Sequence, residues 1–509
     1  MATKALSTTA GLRALANSVR GLSVANARLL YKSVVFPVLT YGAPVWFTGI
    51  RQKSLIQPLV KAQNDGLRWL LGAFRITPSD AMHHIGSNLP IPIMLKQLSR
   101  NAATRILTLP AQSQVRLRLP REWPDHDLSV PQPFRSLHSN PTIIHHLATL
   151  SHPKAERTFP YFSPPWDQHH PWGDRLKVSL PSTIMSREQK MEFIHSTSAH
   201  VSSLAASDSL VIFSDGSRLS SNGHRRTGAG YFITRRGVEV RSVRMALGKK
   251  AEVFDAEMYA LSRAASSVQT LITSDPNFSP LTITFCTDSC AAASSIVSLN
   301  DHTAQLASII FWRHIDYLLS QLPSLRVKVL WVPGHRGIKG NERADTLAHE
   351  AAVQHARPLL HHTITWAHAS AKSKAIKEWR QSWVFSRHSD LVTQAIVRPP
   401  SSKLTLVHRL FPGSCSIHSR LIQLISGHSF MGEYYLHFVP SEPVKCPCGE
   451  ASIQTCDHIL IDCLLYNEAR RHLRSASPSL CIPTLLGTYK GLRAVAWFLS
   501  NCNAFSKIC

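Results

Sequence analysis

The stretch that most limits what this chain can fold into runs from Val327 to Ala348. Val327-Lys328-Val329-Leu330-Trp331-Val332 is β-branched and apolar enough to read as a strand, and Pro333-Gly334 end it, since proline cannot extend a ladder of backbone hydrogen bonds. His335 then falls on a loop, and a helix opens near Asn341 with Asp345 on it. An imidazole and a helical carboxylate are thereby tied to the carboxyl end of one strand. In open α/β sheets that end is where ligands collect.

The upstream sequence supplies a sheet for this strand to join. Residues 210–213 read as a short strand running into Ser214-Asp215-Gly216-Ser217, and residues 228–234 and 238–245 as a hairpin across Arg235-Arg236-Gly237. Residues 251–265 form a helix containing Glu257, 281–287 a strand ending on Asp288-Ser289 with a helix following through 299, and 311–322 an amphipathic helix. Three antiparallel strands followed by strands that alternate with helices predict an α/β unit over 206–356, a mixed five-stranded sheet covered by helices.

In that order the acids fall where chemistry can use them. Asp215 and Asp288 each end a strand, Glu257 projects from a helix packed on the sheet, and Asp345 from the closing helix. Taken singly, each has an ordinary explanation as a turn residue, a helix cap or a solvated acid, and His335 as a loop histidine. Taken together, four converging carboxylates repel unless cations lie between them. Hard carboxylate oxygens suit Mg²⁺, and a pair of such ions suits in-line displacement at phosphorus.

The segment Trp331-Val332-Pro333-Gly334-His335 with Asn341-Glu342-Arg343-Ala344-Asp345 resembles the end of a type 1 ribonuclease H domain. So do Ser214-Asp215-Gly216-Ser217, Ala256-Glu257 with Ala260, and Thr287-Asp288-Ser289. The resemblance implies a ribonuclease H-like fold with Asp215, Glu257, Asp288 and Asp345 as ligands of two Mg²⁺ (or Mn²⁺) ions. It implies His335 as the loop histidine that helps protonate, orient water or release product, and an RNA-DNA hybrid as the partner. Two departures stand out: no compact Lys and Trp cluster lies between 299 and 311, and Glu252 and Val253 occupy positions where relatives carry polar residues that touch the RNA minor groove.

Composition bears on what surrounds this unit. Lys and Arg number 56 against 31 Asp and Glu, a formal net charge of +25, and before residue 110 the only acids are Asp65 and Asp80. Such a chain is built to meet polyanions, nucleic acid first. No apolar run approaches the roughly 18 residues of a membrane span. Tyr31-Lys32, Pro37-Val38-Leu39-Thr40-Tyr41-Gly42 with Trp46, and Gln63-Asn64 through Trp69-Leu70-Leu71-Gly72-Ala73 are similar to the thumb region of a non-LTR retrotransposon reverse transcriptase. The Tyr- or Phe-x-Asp-Asp box of the polymerase site occurs nowhere in the sequence.

Seven of the ten cysteines lie beyond Tyr435, which favours a reducing compartment and one metal site over a disulfide scaffold. Cys446, Cys448, His458 and Cys463 offer a closed set for structural Zn²⁺, with Cys456 as a competing third ligand. The one-residue gap between the first pair is tighter than usual. Cys446-Pro447-Cys448-Gly449-Glu450 and the residues after it resemble the zinc-finger-like tail that follows ribonuclease H in non-LTR retrotransposon polyproteins.

The organisation this implies is a helical thumb-like remnant over 1–110, a Pro-, His- and Ser-rich linker over 111–205, ribonuclease H over 206–356, and a helical basic region with the zinc segment over 357–509. The whole is expected to be a 5′-truncated retrotransposon polyprotein with a separate reverse transcriptase chain as a partner. Its expected activity is cleavage of the RNA strand of hybrids. The alternative is a noncatalytic nucleic-acid-binding remnant.

Overall fold

The computed structural model describes residues 1–18, 20–47, 53–110, 112–119, 143–158, 172–182, 186–221, 224–275, 278–298, 300, 302–354, 357–386, 390–413 and 415–506. The Pro-rich motifs at 120–124 and 162–166, and Leu299, lie outside them. Contacts divide the chain into two compact units. One is formed by Met1–Ser99 with Lys372–Cys509, the other by Ile144–Ala371 with the stretch from Arg100.

The second unit is built on a sheet of strands β1 (Leu176–Ser179), β2 (Leu210–Ser221), β3 (His224–Arg235), β4 (Val238–Gly248), β5 (Thr282–Thr287) and β6 (Arg326–Trp331), ordered β1-β6-β5-β2-β3-β4. The β2-β3-β4 meander is antiparallel, whereas β2, β5, β6 and β1 pair in parallel. Its hairpin turns as the sequence requires: Arg236 and Gly237 both have positive φ (49° and 76°), the twist that two-residue hairpin loops favour.

The expected sheet of five strands has six. Leu176-Lys177-Val178-Ser179 comes from the stretch read as linker and lies parallel to β6, with Leu176 opposite Val327 and Val178 opposite Val329. Four residues are too short for alternation to stand out from a Pro- and His-rich background. The same stretch holds the helix Arg187–Ala206, started by a capping box between Ser186 and Gln189. Its buried face, Ile194, Thr197 and Val201, includes a threonine, so the apolar stripe is faint in sequence.

Alternation along β2 divides the core into two layers. Leu210 and Ile212 pack with Ile283, Phe285 and the helices Val253–Ser274 and Gln305–Gln321, while Val211 and Phe213 pack with Val201, Val332, Ile338 and Ala344. The closing helix, Lys339–Val353, approaches the sheet closely because β3 carries glycines under it. A Cβ on Gly230 would lie 2.7 Å from Leu347 Cβ, and one on Gly228 would collide with the Ala348 and Ala352 backbone.

The first unit is helical. Lys53–Leu71 buries Leu59, Leu67, Leu70 and Leu71 at helical spacing, and Gln63 in the same stripe holds Ile91 N–H and Leu89 C=O at 2.7 and 2.9 Å. Cys415–Ile425, Asn467–Ala476 and Tyr489–Asn501 share a core of Leu421, Ile425, Leu473, Leu492 and Phe498. Among the described residues no helix is long and apolar enough to cross a membrane.

Candidate active site and metal-ligating clusters

Parallel pairing sets the acids level with one another. Ser214 of β2 lies opposite Thr287 of β5, and Thr287 opposite Trp331 of β6, so Asp215 and Asp288 stand at the same height. Asp288 follows β5 as expected, but β2 does not end at Asp215, which lies within it opposite Gly230 because the strand runs on to Ser221 along β3. Glu257 comes from the helix Val253–Ser274, which passes so close to β2 that a Cβ on Gly216 would stand 2.7 Å from Glu257 N. Carboxylate oxygens of Asp215, Glu257 and Asp288 all lie within 4.8 Å of one another. Asp345 adds a fourth acid by sharing a hydrogen bond with Asp215.

Burial and mutual repulsion act on this cluster in the same direction. Desolvation, then the charges of Asp288 and Asp345, push the Asp215 carboxyl up to about 7. Desolvation and the charges of Asp215 and Asp288 push Glu257 well above the usual carboxylate range, against hydrogen bonds from Gly216 N–H and Thr287 Oγ1 (3.3 Å). Burial also raises Asp288, opposed by His335 and by a hydrogen bond from Asn341. Carboxyls held above their ordinary values by one another hold protons until a cation replaces them. Hard oxygen donors at this spacing fit Mg²⁺ or Mn²⁺.

His335 is exposed on its loop with φ of 52°, a left-handed conformation uncommon outside glycine, and its charge is felt by Asp288. A Cβ on Gly334 beside it would meet the Asp288 carboxylate, which would have to shift to make room. Trp331 Nε1 donates to the Asp288 carbonyl at 2.8 Å, which anchors β6 to the end of β5. Asn341, 3% exposed and one turn before Asp345, was not singled out in the sequence as part of the site. Its i, i+4 spacing from Asp345 on one helix face was the available signal.

The departures at Glu252 and Val253 have a structural counterpart. Glu252 caps the helix Val253–Ser274 in a reciprocal pair with Asp255, and its carboxylate is bound by Arg218 of β2. An acid committed to a cap and an ion pair is not offered to a ligand in the way a neutral polar side chain is.

In the first unit, Cys446, Cys448, His458 and Cys463 also converge, their ligand atoms within 4.8 Å of one another. Cys446 Sγ lies 3.6 Å from Cys463 Sγ, close to the edge of about 3.8 Å in a tetrahedron with Zn–S bonds of about 2.3 Å. Cys448 Sγ is 3.2 Å from His458 Nε2. Desolvation raises the Cys448 thiol, but hydrogen bonds from Glu450 N–H, Cys446, His458 and Cys463 outweigh it and hold the group at about 6. Desolvation pushes Cys463 up to about 12.

The donor set fits Zn²⁺, and its four protein ligands leave no open position. Cys456 is instead buried in the apolar core with Ile459 and Leu460. Buried Arg470 donates to the carbonyls of Leu460 (2.9 Å), Ile459 (3.2 Å) and Cys463 (2.6 Å), fixing the π-helical turn His458–Asp462, which starts on His458 and leads directly into Cys463.

Residues 207–353 match the sequence model of the family described as RNase H. Similar solved structures include LC11-RNase H1 in complex with an RNA/DNA hybrid, at 19% identity over 28% of this chain and 96% of that one with a TM-score of 0.22. The N-terminal RNase H domain of Rv2228c from Mycobacterium tuberculosis, solved as a fusion with maltose binding protein, is 21% identical over 28% and 98%, TM-score 0.22. RNase H1 from Halobacterium salinarum is 22% identical over 28% and 96%, TM-score 0.20. No curated protein sequence matches the chain. On the family match, residues 207–353 are an RNase H domain with an RNase H-like fold, a mixed sheet covered by helices.

Proposed function

We propose that this chain hydrolyses the RNA strand of RNA-DNA hybrids. The observation that carries the reading is the cluster of Asp215, Glu257 and Asp288, three acids of an RNase H domain within 4.8 Å of one another. Asp215, Glu257, Asp288 and Asp345 would hold two Mg²⁺ or Mn²⁺ ions. When bound, such ions activate a water and stabilise the leaving 3′ oxygen in an in-line displacement. Asn341 and the Gly216 and Thr287 donors orient the carboxylates, and Gly334 keeps the loop against Asp288 without a side chain in the way. His335, exposed on the loop next to Gly334, would orient water or move a proton to the departing oxygen.

The flanking segments support a retrotransposon-derived polyprotein. Residues 1–110 carry the thumb-like motifs, 111–205 the connecting stretch, 357–509 the basic tail with its zinc-ligating set, and a separate reverse transcriptase chain would make the hybrids. The substrate reading is tested by incubating purified protein in Mg²⁺ with an end-labelled hybrid, single-stranded RNA and duplex DNA. Cleavage of RNA in the hybrid alone is the expected result. A protein that shifts the hybrid on a gel in EDTA yet leaves it whole in Mg²⁺ is instead a noncatalytic binder.

A further inference from the structure

The first unit holds a cavity of about 310 Å³ walled by aromatic rings, outside both clusters described above. Phe74 and Arg75 reach it from the turn after the helix Lys53–Leu71, Phe430 from the bend before the helix Gly432–Phe438, and Tyr434 and Tyr435 from that helix's first turn. Phe74 sits edge-to-face with Phe430 at 4.8 Å and with Tyr434 at 5.0 Å. Such packing fixes ring planes, so the wall is rigid before any ligand arrives. Phe74, Phe430, Tyr434 and Tyr435 are only half-buried.

We infer that this cavity stacks an unpaired base of a single-stranded nucleic acid. Its volume lies at the small end of ligand pockets, about 300 Å³, which suits one planar base and not a helix or strand. Aromatic faces accept any base, since every base has a π-face. The charges sort the rest of the nucleotide: exposed Arg75 is available to a phosphate, whereas Glu442 on the lining disfavours a phosphate inside. A chain of net charge +25 supplies the attraction that brings a single strand to the rim.

The inference rests on the reading that this chain engages nucleic acid, and it is separable from hybrid cleavage. Full-length protein carrying Asp288→Asn is titrated with a single-stranded DNA containing 2-aminopurine, whose fluorescence is quenched on stacking. Quenching on binding is expected. Tyr434→Leu is expected to weaken binding about tenfold and abolish quenching with an unchanged salt slope, and Tyr434→Phe to keep both. Arg75→Ala is expected to reduce the slope by about one ion.

A folded Tyr434→Leu protein that binds and quenches like its parent overturns the inference. Should that variant not fold, photocrosslinking of unaltered protein to a single strand containing 5-bromouracil decides. Crosslinks at Phe74, Phe430 or Tyr434 support the pocket, and crosslinks only elsewhere overturn it. Stacking without hybrid cleavage by wild type keeps the pocket and removes the enzyme reading; cleavage without stacking does the reverse.

Discussion

At the scale of single residues, the acids explain themselves by what they do to one another. Asp215 is ionised first in the unfolded chain, because folding raises its carboxyl from 3.8 to about 7. The folded state therefore binds more protons between those values, and the stability of metal-free protein falls as pH rises from about 4 to about 7. Divalent cations reverse this by compensating the charge. The increase in melting temperature caused by Mg²⁺ relative to EDTA should be larger at pH 8 than at pH 5, and an equal or opposite difference would count against a metal site here.

Asn341→Ala removes a hydrogen bond to Asp288 without removing an acid, and partners of metal ligands typically matter by about tenfold or more. Hybrid cleavage should slow by about that factor while melting changes little. The acids, His335 and the four sulfur and nitrogen donors could be named as candidates from the sequence because their order and spacing are linear. Asn341 and Thr287 were not, since which carboxylate they hold depends on a strand and a helix meeting.

At the scale of elements, close approach decides more than propensity. Gly228 and Gly230 of β3 and Gly340 against the Phe213 ring let the closing helix lie on the sheet at a distance no side chain would allow. Gly230→Ala should destabilise the RNase H unit by about 1–3 kcal/mol, the usual cost of overpacking, and blunt cleavage by displacing Asp345. Chemical denaturation with activity measured in parallel checks this. A variant as stable as wild type would show that the helix adapts.

The meander, the two acid-bearing strands and the closing helix were readable from alternation and from glycine and proline punctuation. β1 and the helix Arg187–Ala206 were not. One has four residues, and the other buries a threonine in its apolar stripe and takes its start from a capping box.

At the scale of the whole molecule, the two clusters of candidate metal ligands would have different work. On the proposed reading the carboxylates hold charge for chemistry, whereas a zinc ion in the Cys and His set would tie Cys446 to Cys463 across a loop that Arg470 fixes from behind. Purified protein should retain stoichiometric zinc through dialysis, and Cys448→Ser should lose it. Metal-free protein that folds and melts like wild type would remove the zinc site from the account. The division into units was less legible: the flanks read as separate stretches, yet Met1–Ser99 and Lys372–Cys509 share one unit. Contacts between segments so far apart in sequence leave no local pattern.

Whether these acids cut RNA in a hybrid is read from wild type and Asp288→Asn side by side on an end-labelled RNA-DNA hybrid, in Mg²⁺ and in EDTA. RNA-strand cleavage by wild type in Mg²⁺ only is expected, reduced more than about a hundredfold in the variant, beyond what a partner of a ligand costs. A folded wild type that leaves the hybrid intact in Mg²⁺, or a variant that cuts as fast as wild type, would contradict that role for the acids.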